Sequence, residues 1–266
     1  MPNIVLYKQE MKSSLKMLII FTAVLSMYIT IIINMYDPEA MKTLDNFHKL
    51  MPEIMDAVGM TSGAASLIGF MISYLYGFIL LIFPMLFCIF RGNALIAKYT
   101  DKGSMVTLLA APIKRRTAAL TQMYVLISGI VLLIIYATIL ELTIANTSFP
   151  KTLEVSELLK LNTALLLPAF IIGGICFLAS CIFSDTKYSI AFWSRYSGTY
   201  VYPSDVVKAG ERAEMVRYFT FFTLFDANGI TANESSAVIG ALVLLIGAIV
   251  LYTIGITVFC KKDLHI

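Results

Sequence analysis

Histidines, clustered cysteines and paired carboxylates are the side chains that most often perform catalysis, and this chain uses them sparingly. His48 and His265 are the only histidines. The first sits in an acid-rich stretch and the second beside the last residue. No H-E-x-x-H pair, which sets two imidazoles on one helix face around zinc, occurs in the chain. Cys88, Cys176, Cys181 and Cys260 all lie in or beside apolar runs. Their spacing fits neither a zinc site nor a disulfide framework, and they read as small hydrophobes packed in helices. The chain has no G-x-x-x-x-G-K-[ST] loop, so by sequence it cannot itself cradle nucleotide phosphates. The sequence offers no catalytic residue and no metal site.

The residues that stand out are mechanical in kind. Positions 91–116, RGNALIAKYTDKGSMVTLLAAPIKRR, form the only strongly basic connection in the chain. Residues 93–99 extend a preceding helix, and Asp101, Lys102, Gly103 and Ser104 make a turn in which Gly103 suits a positive φ. Residues 105–111, with Leu108 and Leu109, form a short apolar helix. Pro112 stops it, because proline cannot continue the hydrogen-bond ladder. Lys114, Arg115 and Arg116 then hold the next segment at an anionic lipid surface. A charged turn, a short greasy helix, a proline and a basic cluster make a rigid knob suited to a groove on a partner.

The elements that must position this knob are membrane spans. Hydrophobic residues make up 59% of the 266 positions, too many for a soluble domain of this length. Five apolar runs, 17–36, 64–90, 117–142, 158–183 and 237–259, are each long enough for a helix to cross a hydrocarbon layer of about 30 Å. The first is read as a retained span, since Asn34-Met35-Tyr36-Asp37 is no small-residue cleavage site. None shows a charged or broken helix at the membrane midplane, and Glu141 falls near an outer end. No basic surface with interleaved aromatics points to nucleic acid.

Lysine and arginine near span ends set orientation. The N-terminal flank has Lys8, Lys12 and Lys16, and the tail has Lys261 and Lys262. The outer stretches 36–63 and 146–157 hold Asp37, Glu39, Asp45, Glu53, Asp56, Glu154 and Glu157. Both termini and the 91–116 connection therefore face the cytoplasm, which requires an even number of crossings. Residues 6–16 suit a short interfacial helix or a plain basic flank in the cytoplasmic segment 1–16. Residues 41–58 show helical spacing and cap the outer face. Residues 215–230 suit a re-entrant or interfacial helix, with Asp226, Ala227, Asn228 and Gly229 turning the chain.

The missing crossing must lie between Phe183 and Ala237, yet residues 188–208 are polar. Placing Arg195 and Asp205 at depth costs roughly 2.5–3.5 kcal/mol each. Two readings stand. The stretch is polar by design, buried between helices or lining a wet path. Alternatively, a compensated frameshift spans 193–207 of the recorded sequence. A permitted codon set read one nucleotide later gives Gly-Ala-Gly-Ile-Pro-Ala-Leu-Met-Phe-Ile-His-Leu-Met-Leu, an apolar run. Resequencing the gene separates the two.

Residues 93–122 resemble the connection between spans two and three of ABC-2 type transporter permeases. That family typically shows an acidic residue, a lysine or arginine, Gly-Thr or Gly-Ser, two leucines, a proline and a basic pair. Asp101, Lys102, Gly103, Ser104, Leu108, Leu109, Pro112, Arg115 and Arg116 match, with aspartate where the family more often has glutamate. Residues 259–264 resemble the basic tail of the group, whereas the polar stretch 193–207 departs from its ordinary fifth span. The resemblance implies an all-α polytopic membrane protein of six transmembrane helices, forming a single permease domain over residues 1–266. It implies a bacterial plasma-membrane exporter subunit that pairs with a second permease copy or a sister permease. Two ABC ATPase subunits would bind ATP and Mg, this chain holding no cofactor of its own, and the nine matching residues would couple it to them.

Overall fold

The computed structural model describes residues 2–41, 43, 66–95, 114–150, 152–182 and 224–261. Every regular element among them is helical. In chain order these are α1 (Ile4–Asn34), α2 (Leu67–Met71), a π-helical segment (Ile72–Ile79), α3 (Leu80–Leu95), α4 (Arg115–Ser148), α5 (Val155–Ile182), α6 (Ala227–Thr231) and α7 (Ser235–Lys261). Five helical stretches are long and apolar enough to cross a membrane: α1, Leu67–Gly92, α4, α5 and α7. The protein is an all-α, multi-span membrane protein.

α1 starts where the sequence supplies a cap. Asn3 Oδ1 accepts the backbone N–H groups of Val5 and Leu6 at 2.9 and 3.1 Å, satisfying two of the four donors a helix start leaves open. The helix then runs 31 residues without interruption, about 46 Å. Residues 6–16 are therefore not a separate interfacial helix. Leu6, Glu10, Ser14 and Leu18 begin the same buried stripe that continues through Phe21, Leu25, Ile29 and Ile33.

Contacts fix the relative directions of the spans. α1 and α4 run parallel: Asn3 N–H donates to Thr121 Oγ1 at one end, and Ser148 Oγ donates to Asn34 Oδ1 at the other. α3 runs against both, since Arg91 meets Glu10 near the start of α1 and Phe83 stacks on Tyr28 further along. α5 runs parallel to α3, with Cys88 near Ala169 and Gly92 against Cys176. α7 runs parallel to α5: Gly247 faces Ile171, Ala248 and Leu251 face Gly174, and Gly255 faces Phe177. The end of α5 and the start of α6 therefore lie on opposite faces.

Lipid gives helices no hydrophobic reason to associate, so close packing has to do it. A Cβ added at Gly129 would lie 2.5 Å from Phe87 Cζ, and one at Gly255 would lie 2.8 Å from Phe177 Cδ1. These glycines are notches into which aromatic rings seat. The opposite faces of α1 and α7 carry exposed Ile19, Ile20, Ile31, Ile239, Ile246 and Ile249, as a lipid-facing surface requires.

Candidate functional site: the buried polar clusters

Of the nine residues matching the coupling pattern, Asp101, Lys102, Gly103, Ser104, Leu108, Leu109 and Pro112 lie outside the described residues. Arg115 and Arg116 open α4 and are exposed, next to exposed Lys114 at the cap position. No acidic residue occupies that first turn. Cations at a helix N-terminus oppose the macrodipole by about 0.3–1 kcal/mol each, so local helix stability does not explain them. This end of α4 shares a face with the start of α1 and the end of α3, as the Asn3–Thr121 and Glu10–Arg91 contacts require. Among the described residues, Lys8, Lys12, Arg91, Lys114, Arg115 and Arg116 are thus gathered at one end of the bundle.

Just inside that end, Arg91 Nη2 donates to Glu10 Oε2 at 2.6 Å and to the Glu10 carbonyl at 2.8 Å. Ser14 Oγ also donates to that carbonyl, at 2.9 Å. Both charged side chains are buried. Taking two ions out of water costs several kcal/mol each, which only close geometry and further hydrogen bonds offset. Gln122, one residue beyond Thr121, is buried with neither amide atom partnered among the described residues.

A second cluster lies toward the other face. Tyr76 Oη donates to Glu141 Oε2 at 3.0 Å, and Asn162 Nδ2 donates to the same oxygen at 2.8 Å. Three elements meet here: the π segment brings Tyr76, α4 brings Glu141 and α5 brings Asn162. Tyr76 and Glu141 are wholly buried and Asn162 is 3% exposed. The π segment Ile72–Ile79 lies in the N-terminal half of the second span, a departure from regular α-helix that the sequence did not suggest. Such widened turns re-aim side chains and concentrate at functional positions. Glu141 lies toward the C-terminal end of its helix and is enclosed by its neighbours.

The sequence reading took Arg91 as a flanking charge and passed over Glu10, Tyr76 and Asn162. A signal was present for two of these residues. Glu10 falls on the buried stripe Leu6–Ser14–Leu18, and Asn162 stands between Leu158 and Leu165 on the buried face of α5. A polar group on an apolar stripe must find a partner. Asp226, expected in a turn, instead caps α6, accepting from the N–H groups of Asn228 and Gly229. Among the described residues no group of histidine, cysteine and acidic side chains could hold a metal ion. No family model, curated protein or solved structure matches the chain.

Proposed function

We propose that this chain is the transmembrane subunit of an ATP-driven ABC transporter of the ABC-2 type, an exporter of the bacterial plasma membrane with both termini in the cytoplasm. The observation that carries this reading is the composition of the connection between α3 and α4. A charged Gly-Ser turn, two leucines, a proline and a basic pair stand where a lever worked by a separate ATPase is needed. The arrangement of the spans supports it. The connection leaves α3 and enters α4 on the same face as the basic N-terminus, beside the Glu10–Arg91 pair that ties α1 to α3. Asp101, Lys102, Gly103, Ser104, Leu108, Leu109, Pro112, Arg115 and Arg116 form the contact. ATP and Mg bind in the partner, and a second permease copy or a sister permease completes the pathway.

An ion-gradient-driven carrier is the second reading, favoured by the buried carboxyl of Glu141 beside an interrupted span. One experiment separates them. Deleting residues 105–111, or replacing Gly103, is expected to abolish co-purification with an ATPase subunit that the wild-type chain retains. Membrane insertion should be intact. An ATPase bound equally by the deletion variant overturns the coupling role, and flux driven by an ion gradient without ATP establishes the carrier.

A further inference from the structure

The Tyr76–Glu141–Asn162 cluster is short of one hydrogen-bond donor. Glu141 Oε2 receives both donors present, the Tyr76 hydroxyl and Asn162 Nδ2. Glu141 Oε1 and Asn162 Oδ1 are buried with no partner among the described residues. A buried acceptor left open costs about 1–3 kcal/mol, and a buried carboxylate without a counter-charge costs far more. No lysine, arginine or histidine among the described residues bonds Glu141.

The charged and titratable groups on the neighbouring elements are engaged elsewhere. Tyr36, following α1, stacks on Phe70 and Phe149. Lys160 of α5 donates to Asn233 at the surface, and Asp226 caps α6. Glu154 and Glu157 lie at the start of α5, and neither bonds to Glu141.

We propose that Glu141 and Asn162, closed over by Tyr76, form a proton-binding site in the outer half of the bundle. One proton on Glu141 Oε1 removes the uncompensated charge and supplies the missing donor in a single step. The carboxylate takes one proton from a hydronium ion of the aqueous phase: an O–H bond forms on Glu141, one breaks in the hydronium, and water is left behind. Asn162 Oδ1 is a second buried acceptor left open in the same cluster. A metal cation fits less well, since hard cations take about six or more oxygen ligands and this cluster offers two open oxygens. A proton needs no cavity. The site is independent of whether ATP or an ion gradient drives transport.

The test is infrared difference spectroscopy of the full chain in lipid nanodiscs, titrated with acid and base. A carbonyl stretch of a protonated carboxyl is expected at neutral pH, moving to lower frequency in D2O and missing from Glu141→Gln. Tyr76→Phe and Asn162→Leu should each shift the band, because each removes a hydrogen bond to that carboxyl. These two variants keep the assignment testable if Glu141→Gln does not fold. A neutral-pH spectrum without the band, or a band indifferent to both neighbours, overturns the proposal. So does an unfolding temperature raised by sodium chloride over choline chloride in the wild type but not in Glu141→Gln, because a cation then occupies the site.

Discussion

Arg91 Nη2 contacts both the carboxylate and the backbone carbonyl of Glu10, at 2.6 and 2.8 Å, with both side chains buried. The contact joins α1 to the last turns of α3, immediately before the basic connection. Removing one partner of such a pair leaves a buried charge unmatched, at a cost of about 3–5 kcal/mol, whereas replacing both by apolar side chains is often near neutral. Arg91→Met and Glu10→Met alone should each sharply lower the unfolding temperature of the purified chain. The double variant should recover most of the loss. Additive losses in the double variant would show that the two residues stabilise the protein separately.

Gly129 and Phe87 make a steric prediction. A Cβ at position 129 would lie 2.5 Å from Phe87 Cζ and 2.7 Å from Cε1. The ring cannot swing away freely, because it is fully buried and stacks edge-on against Phe21 at 6.2 Å. Forcing a methyl into such a contact costs about 1–3 kcal/mol. Gly129→Ala should therefore destabilise the chain, and Phe87→Leu should rescue it by vacating the ring's space. By contrast, Gly77→Ala should be tolerated sterically, since its nearest neighbour is the Ile72 carbonyl at 3.6 Å.

Tyr76 and Asn162 share one acceptor, Glu141 Oε2. Deleting either donor leaves the other bond in place, and deleting both strips the oxygen. Residues in one hydrogen-bond network couple by about 0.5–3 kcal/mol. Thermal unfolding of Tyr76→Phe, Asn162→Leu and the pair should reveal a coupling energy in that range. Strict additivity would mean that Glu141 is stabilised by something other than these two groups.

Much of the architecture is legible in the sequence, because long apolar runs are unambiguous and lysine and arginine at their ends set direction. The start of α1 was less so. Lys8, Lys12 and Lys16 suggest an interfacial segment, while Leu6, Glu10, Ser14 and Leu18 line the other face and carry the helix straight into the span. Periodicity shows both faces but not which one finds a partner. The polar clusters were legible only in part for a related reason. Glu10 meets Arg91 across 81 positions and Tyr76 meets Glu141 across 65, and no local pattern encodes such pairings. The π segment at Ile72–Ile79 has no apparent signature, its residues reading as ordinary apolar helix.

The relative directions of the spans yield the last prediction. α5 and α7 are parallel, as the pairs Gly247 with Ile171 and Gly255 with Phe177 require. Lys160 Nζ donates to Asn233 Oδ1 at 2.9 Å, placing the start of α7 beside the start of α5. α4 begins at the opposite face, so Lys114 and Lys261 belong to one side and Ser148 and Glu234 to the other. All four are exposed. Cysteines placed singly at these positions, in a Cys260→Ser background, should separate with a membrane-impermeant thiol reagent. From outside intact cells, the reagent should reach positions 148 and 234 and miss 114 and 261. The buried Cys88, Cys176 and Cys181 should contribute little background. Labelling of 261 together with 148 would break the parallel pairing of α5 and α7. Labelling of 114 from outside would instead invert the whole bundle, and the basic connection could then meet no cytoplasmic ATPase.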